Sequence, residues 1–216
     1  MLKNKKLWAL CAVSGLTFAA LSGAASAQDK SELKDFSKIV VKSVASLDIE
    51  QGDEFEVDFD ADLFKKHGFT VKVKGDTLII DSEKDKDGDR EIDFDKSIDI
   101  VMPKLEMIKV YGVLDADIED FKLDTFKFKS KGVSNIDLEG SCEHLIVETK
   151  GVTNFDAKDL KCEQVSVKFE GVGKAKVYAK EAVSGAIDGL GKVSVYGQPK
   201  TRNIEEDNML AKVEYE

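Results

Sequence analysis

Apolar and polar residues alternate along much of the chain in short runs with a period of two, which is typical of β-strands that bury one face. From residue 112 onward these runs are punctuated by glycines at intervals of 20, 19, 20 and 18 residues. A Val or Leu follows each of these glycines, and apolar residues occupy the fourth and sixth places after it. The glycines are Gly112, Gly132, Gly151, Gly171 and Gly189.

A second short alternation precedes the glycines, as in Phe126/Phe128 and Leu145/Val147, and an earlier copy of the repeat, Ser43–Ile49, has Ser in the glycine place. Each unit of about 18–20 residues thus holds two strands, a bend and a polar turn, with no room for a helix. Stacked units bury a core that no single coil could bury alone. The pattern predicts an all-β fold, a right-handed parallel β-helix, because crossover chirality favours that hand. The spaced leucines and recurring Asn of the competing leucine-rich repeat are not matched.

Residues 55–101 break the period. Alternating runs such as Phe69, Val71 and Val73 predict longer strands joined by tight turns. We expect an antiparallel strand section in this N-terminal half, beside or over the first coil, where it covers an edge that would otherwise recruit other chains. Residues 203–216 mix apolar and acidic positions and are predicted to form a C-terminal cap or tail, since terminal coils need covering.

The order of four motifs adds a family resemblance. The motifs are SKIVVKSVASLDIEQGDEFEVDFDAD, GDTLII, IDIVMPKLEMIKVYG and the closing VYGQPK. Together they resemble the head GIN domain family, labelled "putative auto-transporter adhesin", over about residues 36–201. The resemblance implies an exported β-helical protein with no established enzymatic reaction, and residues 28–202 are predicted to form one GIN-like β-helix domain. The family's Gly-x-Gly is kept only at Gly171/Gly173 and Gly189/Gly191.

Residues 1–27 are typical of a secretory signal peptide. Residues 3–6 supply three lysines, residues 7–21 are largely apolar, and residues 25–27 form a small-residue Ala-Ser-Ala cleavage site. No later segment is long and apolar enough to span a bilayer as a helix. We therefore expect an exported protein without an integral membrane segment after signal cleavage, located in the periplasm or at the extracellular cell surface.

The charge balance excludes one class of partner. The chain has 32 Lys and Arg against 42 Asp and Glu; without the predicted signal peptide, 29 basic residues face 42 acidic ones, a net charge of −13. Such acidity argues against a nucleic-acid partner, which requires a basic footprint. Only His67 and His144 are present, with Cys142 and Cys162 after residue 27. These counts disfavour a His-based triad or a Cys/His zinc cluster, so we assign no catalytic or cofactor-binding residue.

One acidic segment resembles a calcium-binding EF-hand loop, with carboxylates at loop positions 1, 3, 5 and 9. Arg90 replaces the glycine of the sharp turn and Lys96 replaces the bidentate Glu, and strands rather than helices flank the segment. A solvated acidic turn is the favoured interpretation, with a Ca²⁺ site as the alternative. The candidate ligands are Asp85, Asp87, Asp89 and Asp93.

A second acidic feature emerges when the coils are aligned on their glycines. Aspartates share the fifth place after the glycine in three successive coils, and Asp or Asn the third place. In a β-helix these positions stack at about 4.8 Å. Such a strip is either a solvated face relieved by nearby lysines or a surface that binds cations or carbohydrate hydroxyls. The strip consists of Asp115, Asp117, Asn135, Asp137, Asn154 and Asp156.

The cysteines share one register. Cys142 and Cys162 each precede a repeat glycine by nine residues, so they stack on adjacent coils. Leu123 is the matching residue one coil earlier, which indicates an inward-facing column. Strand spacing permits a disulfide, and export would provide an oxidising compartment. Two buried thiols are an equally acceptable interpretation.

These patterns predict an exported, non-catalytic binding or structural module of the cell envelope, adhesin-like, that presents an acidic β-helix face. The alternatives are a carbohydrate-active lyase or hydrolase on the same scaffold and a calcium-binding envelope protein. The expected partner is an envelope or extracellular ligand, either carbohydrate or protein, and the open coil ends also permit a homo-oligomer.

Overall fold

The computed structural model describes residues 30–82, 97–206 and 210–216, and within them the fold is almost entirely β. A 3-10 helix spans Lys30–Glu32, and one short helix, α1, spans Ala61–Lys66, where the Asp60 side chain accepts a hydrogen bond from the N–H of Leu63. The strands are β1 Lys38–Val41, β2 Val44–Gln51, β3 Glu56–Asp58, β4 Phe69–Lys74, β5 Thr77–Ser82, β6 Ile98–Met102, β7 Met107–Val110, β8 Val113–Ser130, β9 Val133–Thr149, β10 Val152–Phe169, β11 Val172–Ile187, β12 Leu190–Tyr196, β13 Thr201–Glu206 and β14 Ala211–Tyr215.

The strands β8 to β11 each make one full coil of a parallel β-solenoid of about five turns. Each pairs in parallel with the next over nearly its whole length. The pairing register shifts at the middle of these coils, where the chain bends. The first halves of β8 to β11 stack with β2, β3, β6, β12 and β14, and we call this surface the first sheet. The second halves of β8 to β11 stack with β1, β4, β5, β7 and β13 and form the second sheet. This confirms the all-β class and the solenoid predicted from the repeat.

The N-terminal half closes one end of the stack. Strands β1 and β2 form the first coil, since β1 pairs with β7 and β2 with β8, both in parallel. Beyond them β5 and β6 continue the two sheets in parallel. The outermost strands, β4 and β3, pair antiparallel with β5 and β6. The predicted antiparallel section in the N-terminal half is therefore confirmed.

The C-terminal strands extend the ladder at the other end. β13 pairs in parallel with β11, and β14 pairs in parallel with β12. The segment 203–216, expected to be a cap or tail, thus contains the end of β13 and all of β14, which prolong the second and first sheets respectively.

The core lies between the two sheets as stacked columns of apolar side chains. The residues four and six places after each glycine point inward and are at most 3% exposed, because alternate residues of a strand face opposite sides. Neighbouring columns interlock, as in the Phe128 and Phe155 rings, whose centroids are 5.0 Å apart. The fourth-place column is Leu47, Ala116, Ile136, Phe155, Ala175 and Val193.

The repeat glycines form a column of close backbone contacts at one corner of the solenoid. The N–H of Val152, one place after Gly151, donates to the carbonyl oxygen of Gly132 at 3.0 Å, and the same contact recurs between successive coils. A Cβ added at Gly151 would lie 1.9 Å from that carbonyl oxygen. Ser43 occupies the glycine place of the first coil, where its carbonyl accepts from Val113 at 3.0 Å. From the second coil onward, the corner therefore requires glycine for its lack of a side chain.

A disulfide bond joins two adjacent coils. Cys162 pairs with Cys142 in the β9–β10 register, and Leu123 lies opposite Cys142 on the preceding coil. The two cysteine Cα atoms are 4.4 Å apart, and both residues are buried. The disulfide thus lies inside the solenoid and links two adjacent coils through cysteines that are 20 residues apart in sequence.

We predict that Gly151→Ala lowers the free energy of unfolding by roughly 1–3 kcal/mol, the usual range for overpacking, because the new methyl group displaces a backbone carbonyl. Urea denaturation measures the change. Ser43→Ala is the matched control: this residue of the same column already carries a Cβ, and its Oγ is buried without a hydrogen-bond partner in the described part of the chain. The control should match or slightly exceed the wild type; equal stability of the two variants would refute the steric role of the glycines.

Candidate binding surface on the first sheet

Aspartates stand side by side on the outer surface of the first sheet. Asp117 pairs with Asp137, and Asp137 with Asp156, as the glycine alignment predicts. The column continues past the first coil, because Asp48 pairs with Asp117 and with Asp99. Asp58 lies opposite Asp99 in the antiparallel strand β3. We call this row the aspartate column: in strand order Asp58, Asp99, Asp48, Asp117, Asp137 and Asp156.

The sequence pattern predicts only half of this column, and Asp48, Asp99 and Asp58 are additions from the structure. A signal existed for Asp48, which lies five places after Ser43 just as Asp117 lies five places after Gly112. No periodic signal existed for Asp99 or Asp58, because β6 and β3 lie in the section that breaks the repeat. Only the pairing of these strands with the first coil shows that they extend the row.

A ladder of side-chain amides runs beside the aspartate column. Asn154 donates from Nδ2 to Oδ1 of Asn135 at 2.7 Å, and Asn135 donates from Nδ2 to Oδ1 of Asp115, also at 2.7 Å. Each amide is thereby fixed in one orientation, and the Asp115 carboxylate is the final acceptor. The structure thus brings the six residues of the predicted strip together as two adjacent columns.

The carboxylates of the column differ in their electrostatic environment. Partial burial, together with the neighbouring charges of Asp137, Asp48 and Asp115, raises the pKa of Asp117. Burial would also raise the pKa of Asp156, but Lys176, whose Nζ donates to Oδ2 at 2.6 Å, holds that pKa below its usual value. The column therefore changes from self-repelling carboxylates at Asp117 to an ion-paired one at Asp156.

A shallow, open depression of about 430 Å³ lies where the column crosses β6, β2 and β8. The carboxylates of Asp48, Asp99 and Asp117 line it, with those of Glu50 and Glu119. Ile49, Ile100 and Val101 complete the lining, so apolar surface lies among the like-charged side chains, and the depression is only partly enclosed, unlike the enclosed sites that small molecules occupy. Its form suits contact with an extended or flat partner.

Metal binding has little support in the described ranges. Within residues 30–82, 97–206 and 210–216, no group of three or more His, Cys, Asp or Glu side chains is arranged to hold a metal ion. The candidate calcium ligands of the sequence lie outside the described residues: Asp85, Asp87, Asp89 and Asp93.

The remaining chemistry-bearing residues do not form a reactive pair. His144 is aligned with Thr125 and Gln164 on the neighbouring coils. Cys142 is held in the disulfide, so its sulfur is not a free nucleophile.

Among the residues described, no helix is long and apolar enough to cross a membrane.

Comparison with known proteins gives a family and a fold. The family model described as "Putative auto-transporter adhesin, head GIN domain" matches residues 35–199. The crystal structure of a "putative adhesin" from Bacteroides fragilis NCTC 9343 is 23% identical, with a TM-score of 0.65, covering 86% of this chain and 94% of that chain. At that identity the similarity establishes the fold alone. None of the curated proteins matches this chain.

Two further solved structures are more distant. A "putative adhesin" from Parabacteroides distasonis ATCC 8503 is 17% identical with a TM-score of 0.42, covering 86% of this chain and 94% of that chain. Another from Parabacteroides merdae ATCC 43184 is 12% identical with a TM-score of 0.39, covering 86% and 93% respectively.

The opposite pKa shifts of two aspartates in one column predict opposite effects of the same substitution. Because the pKa of Asp117 is raised, its charge opposes folding above that pKa, and Asp117→Asn should raise the Tm at neutral pH. The pKa of Asp156 is lowered, so its charged form stabilises the fold above the unfolded-state pKa, and Asp156→Asn should lower the Tm. Each effect should stay below about 1 kcal/mol, since both groups contact solvent.

Both differences should vanish in acid, below the carboxyl pKa values, where the wild-type aspartates are protonated. Thermal unfolding followed by circular dichroism at neutral and acidic pH provides the comparison. Equal Tm changes of the same sign for the two variants at neutral pH would contradict the electrostatic description of the column.

Proposed function

The chain belongs to the head GIN domain family of auto-transporter adhesin-like domains, and we propose that it is an exported, non-catalytic binding module of the cell envelope. Its adhesin-like function is to hold a ligand along the outer surface of the first sheet. The observation that carries this proposal is the aspartate column, a row of carboxylates on neighbouring strands.

The spacing and charge of the column favour a ligand with repeated positive groups. The backbones that carry neighbouring aspartates are about 4.8 Å apart, and like charges on adjacent strands destabilise the surface unless a cation pairs with them. Lys176 already supplies such a cation to Asp156 and Lys30 supplies one to Asp58, which shows what an external amine would do for the aspartates between them. Weak contacts repeated along the row add up to firm attachment through multivalency.

Attachment rather than turnover is favoured by the form of the surface. Acid–base catalysis on a sugar requires two carboxylates with different pKa values flanking a bound substrate. Asp117 and Asp156 do differ in pKa, but they are separated by Asp137 in the same open row. All the charged side chains that line the depression on this sheet are acidic, and the depression is only partly enclosed. The carbohydrate-active enzyme is therefore the weaker candidate.

Export is supported by two independent features. Residues 1–27 have the sequence pattern of a signal peptide. The disulfide between Cys142 and Cys162 is the kind of cross-link that persists in oxidising compartments such as the periplasm and the cell surface. We therefore place the module outside the cytoplasm, in the periplasm or at the cell surface.

The test compares cationic ligands with a neutral analogue. We predict that the purified protein binds glucosamine oligomers or oligolysine, and that it binds N-acetylglucosamine oligomers of equal length far more weakly. Asp117→Asn/Asp137→Asn should weaken the binding about five- to thirtyfold, since two charge pairs near a surface together contribute on the order of 1–2 kcal/mol. Biolayer interferometry at low and physiological salt measures the affinities.

The matched control is Asp53→Asn/Asp124→Asn, which removes the same charge at two exposed positions outside the column. This control should bind like the wild type. The proposal fails if neither cationic probe binds, or if both double variants lose affinity equally.

A further inference from the structure

The second sheet carries a patch of the opposite charge, at the corner where β1, β7 and β8 end. Val41 pairs with Val110, and Val110 with Ser130, so the residues that follow them lie next to one another on three stacked coils. The backbone contacts agree: Tyr111 donates to the carbonyl of Val41 at 2.8 Å, and Lys131 donates to that of Val110 at 2.9 Å. The row is Lys42, Tyr111 and Lys131.

A third lysine completes the cluster. The Lys109 Nζ lies 4.8 Å from the centroid of the Tyr111 ring, and the Tyr111 side chain is 44% exposed. We call Lys42, Lys109, Tyr111 and Lys131 the lysine–tyrosine patch. Lys42, Tyr111 and Lys131 are exposed and Lys109 is half-buried.

The patch has an excess of positive charge. Lys42 has one acidic partner, Asp81, at 3.2 Å. Lys109 and Lys131 form no ion pair within the described part of the chain, whereas nearby Lys129 is neutralised by Glu148 at 2.8 Å. The interaction with Lys109, reinforced by the charges of Lys131 and Lys42, lowers the pKa of Tyr111. Lys109 and Tyr111 thus contact each other, but neither Lys109 nor Lys131 has an acidic partner among the described residues, so both positive charges remain for a ligand.

The aspartate column does not cancel this charge. Tyr111 precedes Asp117, the member of the column on the same coil, by six residues, up to about 20 Å along the chain. The Debye length at physiological ionic strength is about 8 Å. The field at the lysine–tyrosine patch is therefore local and positive, although the whole chain has a net charge of −10.

We propose that the lysine–tyrosine patch binds a linear anionic polysaccharide, whose carboxylate or sulfate groups pair with the lysines while a sugar unit contacts Tyr111. Lys109 lies opposite Lys129, so Lys131 is one strand over and two residues along, about 8 Å away, and the two unpaired lysines suit successive charges of a polymer better than a single small anion. Tyr111 contributes both an apolar ring and a hydroxyl group, which suit the two kinds of surface that a sugar presents. Nucleic acid would require a much longer basic footprint than this patch offers.

Binding to polysaccharides of different charge tests the proposal. The purified protein is titrated with polygalacturonate, which carries carboxylates, with dextran sulfate, and with neutral dextran. We expect salt-sensitive binding to at least one of the two anionic polymers and none to dextran; the preferred polymer identifies the anionic group. Lys109→Gln/Lys131→Gln should weaken the binding about five- to thirtyfold.

The controls separate this site from other effects. Lys65→Gln/Lys66→Gln removes the same charge from two exposed residues of α1 and should bind like the wild type. Asp117→Asn/Asp137→Asn, which tests the first sheet, should bind the anionic polymer at least as well as the wild type. Loss of cationic-ligand binding at the aspartate column is thereby distinguishable from loss of anionic-polymer binding at the lysine–tyrosine patch. Circular dichroism establishes that each variant is folded.

A spectroscopic signal reports on the patch itself. A bound polyanion neutralises the lysines, so it should raise the pKa of Tyr111, seen as a later rise of phenolate absorbance on titration with base. Tyr111→Phe should abolish that shift. The proposal is overturned if neither anionic polymer binds, if the two lysine double variants bind equally, or if anionic phospholipid vesicles bind while both polysaccharides do not.

Discussion

The close approach of successive coils at the glycine corner is the constraint on which the rest of this structure depends. At each of these corners the carbonyl oxygen of one coil occupies the space that a Cβ on the next coil would need, and it accepts the N–H of the residue that follows. The corner thus fixes the position of every coil relative to its neighbour. Because side chains alternate between the two faces of a strand, a slip of one residue would turn the whole apolar set outward.

A fixed register has a consequence for the polar residues as well. Residues at equal distances from the corner must stack, whether or not their charges favour it. On the first sheet this produces the aspartate column, relieved by Lys30 at Asp58 and by Lys176 at Asp156, and bordered by the Asn135–Asn154 ladder. On the second sheet the same rule stacks Lys42, Tyr111 and Lys131. The core and the corner hold like charges together, and such surfaces favour partners of opposite charge.

The repeat predicts much of this architecture because it is a local signal. Counting from each glycine is enough to place Asp117, Asp137 and Asp156 in one column and Cys142 beside Cys162. Counting five residues from Ser43 places Asp48 in the aspartate column. Tyr111 and Lys131 each precede a repeat glycine by one residue, so the repeat also places them side by side. This counting gives no positions in residues 55–101, where the repeat is interrupted. The position of Asp99 depends on a long-range pairing of β6 with β2, and no local pattern determines which strand an edge strand joins.

Cross-strand NMR contacts between isotope-labelled coils test the register most simply. We expect nuclear Overhauser effects that pair the backbone of Asp137 with those of Asp117 and Asp156, together with contacts from the Asn135 side-chain amide to Asp115. Such contacts would establish that the corner sets one register for core, aspartates and lysines alike. Contacts that pair Asp137 with Ala116 or Ile118 would instead mean a slip of one residue, and would contradict the account of both sheets.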